Sequence, residues 1–263
     1  MGYETRTRVA FHGPDNLAPK TVLQNRVDAY SAMMGLTGGT TEQRRCVMGT
    51  GEASPVQVVR LGKDRGDEVA TLMGRAFQED PRFVHACPDS DERAAWTPWL
   101  FRWPAWAGFL FGQTLGTVGR LDGVAATIGP GGAEFSEEQL IQCGYGQGRE
   151  VVGAAVWERS MTALDAALEP AHEALHQAVP ELHWLLDVIA VEPAQQGRGV
   201  GSALLRAVSE RADADGTPIA LLTYNSANLG IYQHFGYGVV CEGMVSGSEV
   251  PWWGMRRDPG CSR

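Results

Sequence analysis

Between His183 and Gly216 the chain passes from a continuous apolar run, through three glycines at alternate positions, into an amphipathic stretch. His183 to Val191, HWLLDVIAV, is too short and too uniformly apolar for a surface helix and reads as a buried strand. Leu204, Leu205, Val208 and Ala212 then recur on one helical face, and Gly216 closes that helix. The link carries Gln196-Gly197-Arg198-Gly199-Val200-Gly201, followed by Ser202. A helix start exposes four backbone N–H groups without intrahelical partners, and with the helix dipole they make an anion site. Glycines at 197, 199 and 201 let the backbone approach a ligand and take conformations that a β-carbon blocks, and Arg198 adds a positive charge. A phosphate or pyrophosphate is the simplest ligand. The alternative is a tight strand-to-helix turn whose glycines serve packing alone.

Two related phosphate motifs do not fit. A P-loop ends in Gly-Lys-Ser/Thr, and Gly201-Ser202 has no lysine. The Gly-x-Gly-x-x-Gly dinucleotide pattern misses its last position, and no acidic residue ends a following strand where a ribose would sit. A third motif, His172-Glu173-Ala174-Leu175-His176, has the HExxH spacing of a zinc hydrolase. It lacks the usual third ligand, because Pro180 intervenes before His183 and His183 opens a strand. Two surface histidines on a helix are the expectation, with no metal.

The 263 residues are enough for one large domain or two small ones, with 44% apolar and 20% charged residues. A net charge of −9 argues against general nucleic-acid binding. Five scattered cysteines without a CxxC pair suit reduced thiols in the cytoplasm better than a disulfide frame. The start of the chain has no long apolar core of a signal peptide, and no run of about 18 apolar residues offers a membrane span. The expectation is a cytoplasmic monomer or homodimer acting on a small molecule, with no nucleic acid and no membrane.

Residues 1–55 show little periodicity and read as a loosely ordered extension, with a lid or dimer arm as the alternative. From 56 to 263 the pattern is that of one α/β domain. VQVVRL is a strand. A helix capped by Asp64 or Asp67 carries Val69, Leu72, Met73 and Phe77. Asp89 to Gly108 is an aromatic-rich helix broken at Pro104, GTVGR and GVAATI form a hairpin, and helices span Ser136–Cys143 and Arg149–Ala178, the latter interrupted at Pro170. IALLTY, GVVCEG and VPWWGMRR are strands, with a short helix over Ala227–Phe235.

Gln196-Gly197-Arg198-Gly199-Val200-Gly201 resembles the Gln/Arg-x-x-Gly-x-Gly/Ala motif of the GNAT acetyltransferase superfamily. HWLLDVIAVEP is similar to that family's central strand. Asn225 to Tyr237, NSANLGIYQHFGY, is similar to its second cofactor motif. With the Trp-rich PWWGMRR, the chain resembles the puromycin N-acetyltransferase-like branch, densely over 183–258 and loosely over 57–182.

The resemblance implies a mixed, mostly antiparallel six- or seven-stranded sheet with helices on both faces. It implies acetyl-CoA as co-substrate and N-acetylation of a small primary amine, an antibiotic or other secondary metabolite being a candidate. The turn 196–201 with Ser202 would hold the pyrophosphate. Main-chain groups of Ile189, Ala190 and Val191 would bond pantetheine, with the Ile189 or Ala190 N–H facing the oxyanion. Asn225 or Asn228 would also bond pantetheine, Asn228 being favoured by its spacing to Tyr232. Tyr232 would protonate the leaving thiolate, for which a phenol of pKa near ~10 is suited. The branch places a glutamate where this chain has Leu222. Asp187, set in an apolar strand, is the leading substitute as base, with the alternative that it is a structural carboxylate. His183 and Glu181 are further candidates. The Leu222 departure keeps open a non-catalytic acyl-CoA-binding module, and a different acyl chain or a hydroxyl acceptor is a third reading. The aromatic segment from Trp96 to Phe111 either lines an acceptor pocket or, for most of its residues, packs on the sheet.

Overall fold

The computed structural model describes residues 56–260, so the extension expected over 1–55 lies outside the described residues. One sheet of seven strands runs in the order β1-β2-β3-β4-β5-β7-β6. The strands are β1 (Val58–Arg60), β2 (Gly112–Thr117), β3 (Gly123–Ile128), β4 (Trp184–Val191), β5 (Ile219–Thr223), β6 (Gly238–Met244) and β7 (Pro251–Arg257). All neighbours are antiparallel except β4 and β5, which are parallel. The connection between that parallel pair is the amphipathic helix after the glycine turn, as a parallel pair requires a long crossover.

Helices cover both faces. Before β2 come α1 (Gly66–Ala76), α2 (Pro81–Ala86), α3 (Ser90–Leu100) and α4 (Arg102–Phe111). Between β3 and β4 lie α5 (Glu137–Cys143), α6 (Gly148–Val152) and α7 (Ala154–Ala178); α8 (Val200–Asp215) and α9 (Leu229–His234) flank β5. On one face Val69, Leu72 and Met73 of α1, Trp96 of α3 and Met161 and Leu164 of α7 pack with Val124, Ala126, Leu185 and Val188. On the other, Leu204, Leu205 and Val208 of α8 pack with Ala125, Leu186, Ile219 and Met255. Each leucine so buried contributes about 1.5–3 kcal/mol. Among the described residues no helix is long and apolar enough to cross a membrane.

Four local expectations differ from the structure. Neither Asp64 nor Asp67 caps α1. A 3-10 turn over Lys63–Arg65 leads directly into the helix at Arg65, and Asp67 sits in the first turn, paired with Arg102 at 2.8 Å. The aromatic segment divides at Phe101, not at Pro104. Pro104 falls in the first turn of α4, where a missing N–H costs no helical bond. The long helix runs unbroken through Pro170 and is instead separated from α6 at Gly153, whose φ is +93°. Strand β2 begins at Gly112, four residues ahead of the expected GTVGR, and ends at Thr117. Gly112 permits this close pairing, since a β-carbon there would lie 1.9 Å from the Thr127 carbonyl oxygen.

Candidate active site

Strand β4 carries an irregularity at its middle. Against β3, Leu186 pairs with Thr127 and Val188 with Ala126, so Asp187 is an extra residue with no opposite number. The side-chain alternation is displaced accordingly. Trp184 and Leu186 join the core beneath α8, and Ile189 and Val191 pack against it, whereas Leu185, Val188 and Ala190 join the other core. A regular strand would put Leu186 and Val188 on the same face. Such a bulge bends the strand and ends pairing on its far edge. Pairing with β5 covers only Trp184–Leu186 against Ile219–Leu221, although β4 continues to Val191.

The parted strands open a cavity of about 720 Å³. Its wall brings together Asp187, Ile189, Ala190, Val191, Gln196, Gly197, Gly199, Gly201, Ser202, Asn225, Asn228 and Tyr232. Those residues come from β4, the glycine turn and the segment after β5. Gly197 and Gly199 have φ of +75° and +81°, a left-handed conformation that favours glycine, and a β-carbon on either would meet open space. Gly199 is the N-cap of α8, and its carbonyl accepts the Ala203 N–H at 3.0 Å. The N–H groups of Val200, Gly201 and Ser202 precede that first helical bond and lie at the positive end of a helix of 16 residues. Gly201 has no positive φ and needs only ordinary contact with Val191.

Two predicted residues stand apart from the cavity wall. The Val200 side chain is 5% exposed and buried in the core, leaving its main chain to face the turn. Arg198 is exposed at the tip of the turn. His183 and Glu181 are outside the site. The buried His183 ring bonds the Glu181 carbonyl at 2.8 Å, burial pulls its pKa down, and Glu181 pairs with Arg256. The His172 and His176 pair lies on α7, and among the described residues no group of three His, Cys, Asp or Glu could hold a metal.

Asn225 and Asn228 both line the cavity. The Asn225 carboxamide oxygen accepts the Ala227 N–H at 3.0 Å, so its amide NH₂ is what it offers a ligand. Tyr232 of α9 is 6% exposed and meets Tyr237 edge-on, with ring centroids 5.9 Å apart. Burial holds its phenol protonated well above the ordinary range; the negative charge of Asp80 adds to this and Arg82 opposes it.

Sequence reasoning missed Asp80 and Arg82. Both enter the same cavity from the start of α2. Asp80 caps that helix by accepting the Arg82 N–H at 3.1 Å, and Pro81 follows at the first helical position. The Asp80-Pro81 pair is a legible helix-start signal, but nothing local says where that helix points. Burial pushes the Asp80 carboxyl up, with Arg82 pulling the other way. The Arg82 guanidinium lies 4.4 Å from the Phe83 ring centroid and 4.7 Å from that of Tyr224. Tyr224 has its own pKa pushed up to about 12 by burial, and it donates a hydrogen bond to the Ala167 carbonyl at 3.1 Å, tying the end of β5 to α7.

A second cavity of about 370 Å³ adjoins the first and shares Arg82, Leu186, Asp187, Val188 and Leu222 with it. Leu100, Phe101, Trp103 and Pro104 form part of its wall, facing Asp165, Glu169 and His172 from α7. The aromatic segment therefore divides its roles, since Trp96 is fully buried against Phe83.

The parted sheet, the helix N-terminus and the buried phenol thus share one cavity. Residues 145–239 match the family model described as the acetyltransferase (GNAT) domain. An uncharacterized N-acetyltransferase of Schizosaccharomyces pombe is 24% identical over 177 residues, covering 66% of this chain and 71% of that protein. Two solved structures share the fold. The first is described as histone acetyltransferase HPA2 and related acetyltransferase, from Corynebacterium glutamicum, with TM-score 0.52, 18% identity, and coverage of 78% of this chain and 97% of that one. The second is arylalkylamine N-acetyltransferase 2 from Aedes aegypti, with TM-score 0.50, 11% identity, and coverage of 78% and 99%. The fold and the match over residues 145–239 support a GNAT-type acyltransferase.

Proposed function

We propose that this protein transfers the acetyl group of acetyl-CoA to a primary amine on a small molecule. The supporting observation is the single cavity that joins the α8 N-terminus, the unpaired edge of β4 and Tyr232. The residues fit the donor. The N–H groups at 200–202 and the glycine turn suit a pyrophosphate. The free edge of β4 at Ile189, Ala190 and Val191 suits the amides of pantetheine, assisted by Asn225 or Asn228. In this reading the thioester supplies an activated acyl carbon beside the β4 main chain, where the Ile189 or Ala190 N–H stabilises the developing oxyanion. Asp187, where the two cavities meet, accepts the proton of the attacking amine. The C–N bond forms, the C–S bond breaks, and Tyr232 gives its proton to the departing thiolate. The puromycin N-acetyltransferase-like branch remains the finer reading, on the strength of its Trp-rich last strand and the opening of β4.

Leu222 favours one competing reading. It presents an apolar side chain at the junction of the cavities, which suits a module that binds acyl-CoA without turnover. Calorimetry with coenzyme A and thiol release from acetyl-CoA across a panel of amines separate the two. Binding with amine-dependent thiol release supports the transferase, and binding without release supports the module. A folded protein with no affinity for coenzyme A excludes both.

A further inference from the structure

Building on that transferase reading, we propose that the acceptor is a cationic amine carried on a flat, apolar body and bearing no anionic group. The second cavity, about 370 Å³, lies in the size range of small-molecule sites. One side is made by Leu100, Phe101, Trp103 and Pro104 at the junction of α3 and α4. Aromatic and aliphatic walls of this kind reward a body that buries apolar surface. A chain without a flat apolar body leaves that wall uncovered and gains nothing from its burial.

The polar side of the cavity is acidic. Asp165 and Glu169 lie four residues apart on one face of α7, and Asp187 stands at the passage to the donor cavity. His172 is one further turn along α7. The one arginine on this wall, Arg82, is already accompanied by the Asp80 carboxylate at 4.0 Å and lies against two aromatic rings. The carboxylates therefore outnumber the cations around the cavity. An ammonium group is drawn in, and an acceptor carboxylate meets like charge in a confined space. The acceptor's amine is placed toward Asp187, the end of the cavity that opens on the donor site.

The experiment uses the full chain, acetyl-CoA and three probes: tryptamine, tryptophan and spermidine. Tryptophan keeps the ring and adds a carboxylate, while spermidine keeps the positive charge and removes the ring. The expected kcat/KM for tryptamine exceeds that for tryptophan by at least about 100-fold, a like-charge penalty of about 2.8 kcal/mol at tenfold per 1.4 kcal/mol. It exceeds that for spermidine by at least about tenfold. Tryptophan within tenfold of tryptamine, or spermidine preferred, overturns the proposal while leaving acetyl transfer standing. Absence of coenzyme A binding brings down the transferase reading, and this proposal with it. Glu169→Lys, a change at an exposed position of α7, gives a second measurement. The expected result is a rise of about tenfold in the KM for tryptamine with kcat retained. A KM that does not move means that the acidic side does not meet the acceptor, and the proposal fails.

Discussion

Leu186 and Leu221 form the last pair between β4 and β5, and one residue later the two parallel strands part. The bulge at Asp187 falls at that point, and the same residue lines both cavities. Beyond it, β4 continues to Val191 with no partner residue on β5.

Tyr232→Phe removes one hydroxyl from a ring that stays packed against Tyr237. The expected outcome is a fall of about 10²- to 10³-fold in kcat, with the KM for acetyl-CoA little changed. Steady-state rates that stay within a factor of three of the parent remove Tyr232 from proton transfer.

Asp187→Asn keeps the shape of the bulge and removes the proton acceptor. A loss of about 100-fold in kcat/KM is expected, together with disappearance of the acid limb of its pH profile. An unaltered profile assigns Asp187 a structural role in the bulge alone.

Gly199→Ala forces a β-carbon onto a residue with φ of +81°, although the space around it is open. The cost is about 1–2 kcal/mol, seen as a lower Tm and weaker coenzyme A binding. Gly201→Ala is the control. Its backbone has no positive φ and the nearest neighbour is Val191 at 3.6 Å, so thermal stability should hold or rise by up to about 1 kcal/mol. Equal losses of stability in the two variants would contradict the backbone argument.

Arg257 of β7 is 2% exposed and makes two bonds to Asp213 of α8, at 2.7 and 2.8 Å. The hydrogen bond from Arg257 is the main cause that holds the Asp213 carboxyl below the usual carboxylate range, opposed by burial and helped by the Gly260 N–H. A folded pKa below the unfolded one means stability present above about pH 4 and lost as pH falls through the folded value. Asp213→Asn should therefore cost about 1–2 kcal/mol at neutral pH. That difference should vanish as the parent's Asp213 is protonated. Denaturant titrations at pH 7 and at pH 2.5 check it, and a gap that widens in acid refutes the assignment.

The strand, the glycine turn and the helix from Trp184 to Gly216 were legible in the amino acids alone. Each depends on local causes: an unbroken apolar run, positive φ at Gly197 and Gly199, a left-handed closure at Gly216. The helix beginning at Ser136 and the existence of a hairpin ending in β3 were readable for the same reason, though not where β2 begins. Helix boundaries near prolines were less legible. Whether Pro104 or Pro170 interrupts a helix depends on the turn it occupies and on what packs around it, not on its identity alone.

What the sequence determined by itself is the backbone of the glycine turn and the helix start that follows it, because steric limits on φ and ψ and unpaired helix N–H groups act within a few residues. Only the tertiary structure decided that Asp187 would be the odd residue of a bulge, that Asp80 and Arg82 would reach the cavity from α2, and that α7 would bring Asp165 and Glu169 opposite Phe101 and Trp103. These meetings join segments that lie far apart along the chain. They are settled by how the sheet pairs and how the helices pack on it, which no short window of residues contains.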